Sequence, residues 1–483
     1  MSETPFLSAL ISVLSPQQVW THPSHADRMQ PYEQDWRKRE HGKALAVVFP
    51  RTTTQLQAIV RLCLESGVSI VPQGGNTGLV LGSTPNSMGQ QLVVSTQRMN
   101  RVLSIDADNM TLTAESGCIL AHIQQAARDQ GLWFPLSMAS EGSCTIGGNL
   151  ATNAGGTQVL QFGTARQLCL GIEAVMPDGS VMNVLRGLRK DNTGFDMRDL
   201  LIGSEGTLGI ITKAVLKLWP QPKAQIAAWL GVQHFDDACQ LLRLAREHMG
   251  ARLTGFEVMN PLAIALVQQH VPHLKQPLPQ HTGWHVLLEL TDSQSLENLS
   301  ADTQALIQSC LDSHLIQDGV QAQSFQQTQQ LWHIRESIPL AQATEGLNIK
   351  HDISLPISQM SSFVRTVESD LQKLIPNVRT VNFGHLGDGN LHFNVQAPLG
   401  IAPADFLVQY EDAVHELVFA CVEKHFGSIS AEHGIGRLKQ QRLQQHQDPS
   451  ALHQMRLIKH VLDPHGLFNP GVILSSPDTM ERS

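Results

Sequence analysis

Two histidines flank a glycine-rich turn in the run FGHLGDGNLHFNV, residues 383–395. Alternation on either side of the turn predicts two strands of a tight hairpin, with Gly387 and Gly389 supplying the positive φ that such turns demand. His385 and His392 then lie near each other across the ladder, and neutral imidazole is the commonest metal-ligating side chain. A polar hairpin with two incidental histidines fits the same residues, so a third ligand must decide. SAEHGIG, residues 430–436, offers one in Glu432. Two histidines and one carboxylate suit zinc or manganese and leave positions open for a substrate. His433 stands beside Glu432 and is the natural general base for whatever the metal binds. The charged first turn of a helix is the other reading of this pair. Arg335 in LWHIRESIP offers a fork suited to a carboxylate and Lys350 in NIKHDISLP a point charge on a strand, although either could be a surface charge. Asn394, two residues after His392, faces the same side of its strand. His415 and Glu416 open an H-E-x-x-H frame, but Phe419 stands where the second histidine is needed, which reads as a helix surface.

Positioning such groups takes a large scaffold, and 483 residues exceed one ordinary core, so two or more domains are expected. Apolar residues at 42% and charged ones at 16% describe a folded chain rather than a disordered one. A net charge of −9 argues against a nucleic-acid partner, so an anionic substrate needs specific local cations. Seven scattered cysteines without a C-x-x-C suggest neither a disulfide framework nor a thiolate zinc site, and point to a reducing compartment, with the cytoplasm as the expected location. The first twenty residues lack a basic stretch and read as an amphipathic helix rather than a signal peptide. No apolar run is long enough for an integral membrane segment.

Along the chain, 44–50 reads as a strand, 52–66 as a helix and 68–71 as a strand running into PQGGNTGLVLGS, residues 72–83. Such a unit presents backbone N–H groups to an anion such as phosphate, though an ordinary glycine turn would look similar. SEGSCTIGGNLATNAGG, residues 140–156, is denser in glycine than a packed helix or strand tolerates, since each glycine costs roughly 0.5–1 kcal/mol relative to alanine. A strand over 171–177 turns at PDGS and returns over 181–185. A third glycine-bearing block is DNTGFDMRDLLIGSEGTLGIIT, residues 191–212. Three such blocks, none of them a Rossmann or phosphate-loop signature, imply one extended cofactor wrapped by backbone.

PQGGNTG, GSCTIGGNLATNAGG, KDNTGFDM and GSEGTLGIIT, in this order, resemble the PCMH-type FAD-binding domain of the vanillyl-alcohol-oxidase family. The resemblance implies that Gly74, Gly75, Asn76, Thr77 and Gly78 cradle the FAD pyrophosphate. It also implies that Ser140, Gly147, Asn149, Thr152 and Gly155 line the flavin, and that Gly206 to Ile211 lie near the adenine. Some relatives attach FAD through a histidine of the first loop; Asn76 and Thr77 stand there instead, so non-covalent FAD is expected. WPQPK, residues 219–223, reads as a linker because its prolines interrupt regular structure. Beyond it, strands at 227–232, 284–290, 347–355 and 379–385 alternate with helices at 235–249, 295–315, 361–374 and 405–425. This predicts an α+β domain with a mainly antiparallel sheet covered on one side, where relatives carry a ferredoxin-like substrate domain. A helix after residue 448 leads to DPHGLFNPG, whose Asn469 matches a C-terminal helical return to the flavin domain. The expected division is 1–222, 223–430 and 431–483.

HLGDGNLH and SAEHG, at these separations, are similar to the D-2-hydroxyacid dehydrogenase branch of that family. The resemblance implies a divalent metal on His385, His392 and Glu432, with substrate held by Arg335, Lys350 and Asn394. It implies oxidation of a D-2-hydroxy acid to the 2-oxo acid, with hydride passing to flavin N5 and His433 as base. The H-x-N of His392 and Asn394 resembles the enzymes acting on D-2-hydroxyglutarate. One departure is Pro339, where some of these carry threonine; a related diacid such as D-malate, or replacement of the hydroxyl by Ser337, would accommodate it. D-lactate or glycolate dehydrogenation, a non-catalytic flavin electron-transfer subunit and a metal-dependent hydrolase are the competing readings. An electron-transfer flavoprotein or a quinone is the expected acceptor, and a homodimer is an allowed assembly.

Overall fold

The computed structural model describes residues 5–279 and 283–475, and its chain divides into two compact units. The first holds residues up to Gly155, Thr164–Pro220 and the chain from Glu432 onward. The second holds Gly156–Gly163 and Gln221–Ala431. The amphipathic N-terminal helix covers Pro5–Val13, and residues 1–4 of the expected helix lie outside the described ones.

In the first unit, Ala44–Val48, Gln91–Ser95 and Ile70–Gln73 pair in parallel, with Val19–Trp20 antiparallel at one edge. The crossover is the helix Thr53–Ser66, capped by the Thr52 hydroxyl, which accepts from Gln55 N, and stopped at Gly67 in the left-handed region. Its Leu56, Ile59, Val60 and Cys63 recur at helical spacing and are all buried, against a core that includes Val48, Ile70, Leu92 and Phe468. A five-stranded antiparallel sheet follows, in the order Val102–Asp106, Thr111–Glu115, Ile210–Lys217, Cys169–Val175, Val181–Val184. The strand Ile70–Gln73 begins two residues later than its apolar run predicts. WPQPK is not wholly a linker: Trp219–Pro220 pairs with Leu132–Trp133, where an edge position spares proline the missing N–H.

The second unit is built on a seven-stranded, wholly antiparallel sheet. Its order is Asp318–Gln321, Ala224–Val232, Trp284–Asp292, Leu253–Met259, Arg379–Gly384, Asn390–Gln396, Asn348–Ser354. Helices cover it on both faces, not one. Pro261–His270, Phe325–Glu336 and Ile338–Glu345 pack an apolar cluster with Trp229, Met259, Leu287 and Phe383. On the other face, Phe235 of the helix Phe235–Met249 meets Trp284, and Phe363 of Ile357–Leu374 meets Phe393. His415 and Phe419 of Pro403–Lys424 lie on that inner face as well. The His415 ring stacks on Phe419, and its Nδ1 is 2.9 Å from His351 Nε2. The broken H-E-x-x-H frame is therefore split: His415 and Phe419 pack inward, while Glu416 is exposed on the helix surface as expected.

Candidate active site

The strand register gathers Lys350, His392 and Asn394 on one sheet face. Lys350 pairs with Asn394 and Asp352 with His392 on one side, while Phe383 pairs with His392 on the other. Side chains of one register level, and of levels two apart, share a face. Lys350, Asp352, His392, Asn394 and Phe383 thus form a continuous strip. His385 follows the strand Arg379–Gly384 and immediately precedes a 3-10 turn, Leu386–Asp388. The tight two-strand turn is thus replaced by a longer one, and of its glycines only Gly389 has positive φ, at 89°. Gly387 is small for another reason: a Cβ there would stand 2.8 Å from Leu160 Cδ2. The longer turn still brings the imidazoles together, with ring centroids of His385 and His392 5.6 Å apart.

A residue absent from the sequence-level candidates joins His385 to Arg335. Glu257, on the strand Leu253–Met259, is buried and lies with Oε1 2.5 Å from His385 Nδ1, while its Oε2 accepts from Arg335 Nε at 2.7 Å. Burial alone pushes its carboxyl up, but the charges of and hydrogen bonds from His385 and Arg335 outweigh that and hold it at about 2. Arg335 is itself buried, with its guanidinium carbon 4.8 Å from the centre of the Phe383 ring, so it is not a surface charge. Near His392, Asp352 Oδ1 is 3.6 Å from His392 Nδ1 and accepts from Asn390 Nδ2 at 3.0 Å. Asn394 donates through Nδ2 to Gln342 Oε1 at 2.9 Å. Ser337 donates its hydroxyl to the His333 carbonyl, so it cannot also donate to a substrate as a stand-in for threonine at 339.

In the first unit, the glycine blocks pack on one another. A Cβ at Gly74 would meet Thr145 Oγ1 at 2.3 Å, one at Gly75 the Ser143 carbonyl oxygen at 2.1 Å, and one at Gly147 Ser116 Cβ at 2.5 Å. Gly78 differs: a Cβ there meets nothing within 4 Å and its φ is ordinary, so neither packing nor backbone conformation asks for glycine. Around these loops Gln73 Oε1, Ser116 Oγ and Asn149 Nδ2 are buried without a hydrogen-bond partner among the described residues. Buried polar atoms left unpaired cost about 1–3 kcal/mol each, which a polar ligand relieves. Open space at a glycine, beside orphaned donors and acceptors, fits an extended polar cofactor such as FAD.

Other members of the blocks do structural work. Asn76 adopts φ 53° and donates through Nδ2 to the carbonyls of Pro31 and Gln34, with Thr77 and Gly78 following it. Ser140 closes a turn through its carbonyl, which accepts from Ser143 and Cys144, and Thr152 Oγ donates back to the Gly148 carbonyl. Gly206, at φ 70°, lies against Pro72, and Ile211 is a buried strand residue opposite Ala174. Asn469 Nδ2 donates to the carbonyls of Gly82 and Glu205, tying the C-terminal segment to two of the blocks. Glu205 carries the tie onward, since its buried carboxylate accepts from Ile435 N at 2.7 Å and Gly436 N at 2.8 Å. Burial raises its carboxyl above the usual range, partly offset by those two N–H groups. The loop bearing Glu432 and His433 is thereby anchored just beyond His433. Glu432 itself lies against Gly155, where a Cβ would stand 2.5 Å from Oε1. Among the described residues no helix is long and apolar enough to cross a membrane.

Comparison with known proteins places this arrangement. The FAD binding domain family matches residues 44–185, and the C-terminal domain of FAD linked oxidases matches residues 221–473. The mitochondrial D-2-hydroxyglutarate dehydrogenase of Bos taurus is 38% identical over 96% of this chain and 82% of its own length. The D-2-hydroxyglutarate dehydrogenases of Xanthomonas citri pv. viticola and Stutzerimonas stutzeri are 37% and 34% identical, covering 93% and 99% of this chain and 93% and 100% of their own. Among solved structures, p-cresol methylhydroxylase has a TM-score of 0.73 at 16% identity, over 98% of this chain and 97% of its own. An alkyldihydroxyacetonephosphate synthase has a TM-score of 0.71 at 17% identity, over 97% and 85%. These two share the fold. The chain belongs to the FAD-linked oxidase family, in its D-2-hydroxyglutarate dehydrogenase-like branch, and is an FAD-dependent dehydrogenase.

Proposed function

We propose that this enzyme oxidises D-2-hydroxyglutarate to the 2-oxo acid, using non-covalent FAD and a divalent metal, zinc or manganese, held by His385, His392 and Glu432. The observation that carries the reading is the polar strip on one sheet face, where Lys350, His392 and Asn394 share adjacent register levels and the His385 ring lies 5.6 Å from that of His392. The names of the relatives support the substrate. Support for Glu432 joining the two histidines comes from chain continuity: Ala431, immediately before it, donates its N–H to the Asp352 carbonyl, beside His392 in register.

When bound, FAD supplies a hydride acceptor and the metal a charge that acidifies the substrate hydroxyl. The chain supplies the rest. Arg335 and Lys350 hold the two carboxylates of a five-carbon diacid, the first by its planar fork and the second as a point charge. Asn394 beside Lys350 completes the diacid end, and His433 accepts the hydroxyl proton through its ring. Two cations on one face favour a diacid over D-lactate or glycolate. The seven cysteines are all free thiols, which supports a reducing compartment, with the cytoplasm as the proposed location. An electron-transfer flavoprotein or a quinone is the proposed acceptor, and the proposed assembly is a homodimer. A panel of D-2-hydroxy acids with an artificial electron acceptor tests the substrate. D-2-hydroxyglutarate giving the highest kcat/KM supports it, and preference for D-lactate, glycolate or D-malate overturns it.

A further inference from the structure

We propose that Glu257 is a positioning residue that couples the substrate-carboxylate anchor Arg335 to the metal ligand His385. The inference rests on the assignment of those two roles above and adds a third residue joining them. Glu257 gives one oxygen to each partner: Oε1 to His385 Nδ1 at 2.5 Å and Oε2 to Arg335 Nε at 2.7 Å. All three side chains are buried, with Glu257 1% and Arg335 6% exposed, so water screens little of the interaction. A proton on His385 Nδ1, shared with the carboxylate, makes Nε2 the lone-pair nitrogen, which is the ligating tautomer. A carboxylate behind a metal-bound imidazole also raises its basicity, and loss of such a partner typically costs 10–100-fold in metal affinity or activity.

The two histidines face different carboxylates. His392 Nδ1 is 3.6 Å from Asp352 Oδ1, beyond hydrogen-bond length, and Asp352 is engaged by Asn390. Glu257 divides its charge between a proposed ligand and a proposed substrate contact. Once a substrate carboxylate neutralises Arg335, less of the Glu257 charge is drawn to the guanidinium and more falls on His385. The imidazole becomes a stronger ligand, and metal binds more tightly when the diacid is in place. By reciprocity, bound metal favours the diacid by the same factor.

The test is the affinity of the FAD-loaded protein for Zn2+ without substrate, measured by competition with a chromogenic chelator. Glu257→Gln should weaken binding roughly 10- to 100-fold. Arg335→Met, which touches no proposed ligand, should tighten it several-fold. Unchanged affinity in Glu257→Gln, or in Arg335→Met, overturns the coupling and leaves a structural ion pair. Where Glu257→Gln fails to fold, judged by its melting curve, Arg335→Met decides alone. A wild-type protein that takes up neither zinc nor manganese removes the metal assignment itself, and the coupling with it. Zinc held equally by wild type and both variants strikes the coupling only.

Discussion

Glu432 and Gly155 lie so close that a Cβ on residue 155 would stand 2.5 Å from Glu432 Oε1. The clash is with the far end of a flexible side chain, and Gly155 does not have positive φ. Gly155→Ala should therefore barely change thermal stability while displacing the Glu432 carboxylate. We expect metal affinity about tenfold lower, with turnover lowered in step. Metal analysis of the purified variant checks this, and full metal content would contradict it.

Asn394 sits in register with Lys350. Asn394→Ala removes a neutral hydrogen-bonding group worth about 0.5–1.5 kcal/mol, so kcat/KM for D-2-hydroxyglutarate should fall at least several-fold, and that for D-lactate much less. A substrate panel reads the difference, and equal losses on both substrates would show that Asn394 selects nothing.

His392→Ala should abolish metal binding and turnover while leaving the protein yellow, because the glycine blocks that fit FAD belong to the first unit and His392 to the second. The absorption spectrum and a metal assay on one sample check both halves. Loss of flavin from a folded variant would contradict the separation.

Much of this architecture was legible in the sequence, and what was hidden was long-range. The helix Thr53–Ser66 announces itself by apolar spacing and a threonine cap, and the helix Phe235–Met249 falls on its expected bounds. Glu257 gives no local signal: in LTGFEVM it looks like the polar half of an alternating strand, and its partners Arg335 and His385 lie 78 and 128 residues away. Only the strand order, which sets Leu253–Met259 against Arg379–Gly384, reveals it. Gly387 misleads for a related reason, since its smallness answers Leu160 from a distant segment rather than a φ of its own. Glu205 likewise reads as part of a glycine block, and only the fold shows it holding the 435–436 backbone.

A pH effect follows from Glu289, whose buried carboxylate accepts from Gln158, Gln225, Trp332 and Thr254. Burial raises its carboxyl above the ordinary 4.5, with those hydrogen bonds partly opposing. A carboxyl raised on folding contributes stability that is fully present below its unfolded value and is lost as pH rises through the folded one. Melting temperatures should therefore fall more steeply from pH 4.5 upward in the wild type than in Glu289→Gln. Parallel curves would show that Glu289 does not titrate in this range.

In the proposed reaction D-2-hydroxyglutarate reduces the bound flavin through a metal-assisted site. Anaerobic titration of the metal-supplemented, FAD-loaded protein with D-2-hydroxyglutarate, followed by the flavin absorbance band, tests it most directly. The band should bleach with the 2-oxo acid formed in step, and a chelator should prevent both. An oxidised flavin spectrum that persists with metal and excess D-2-hydroxyglutarate present would contradict it.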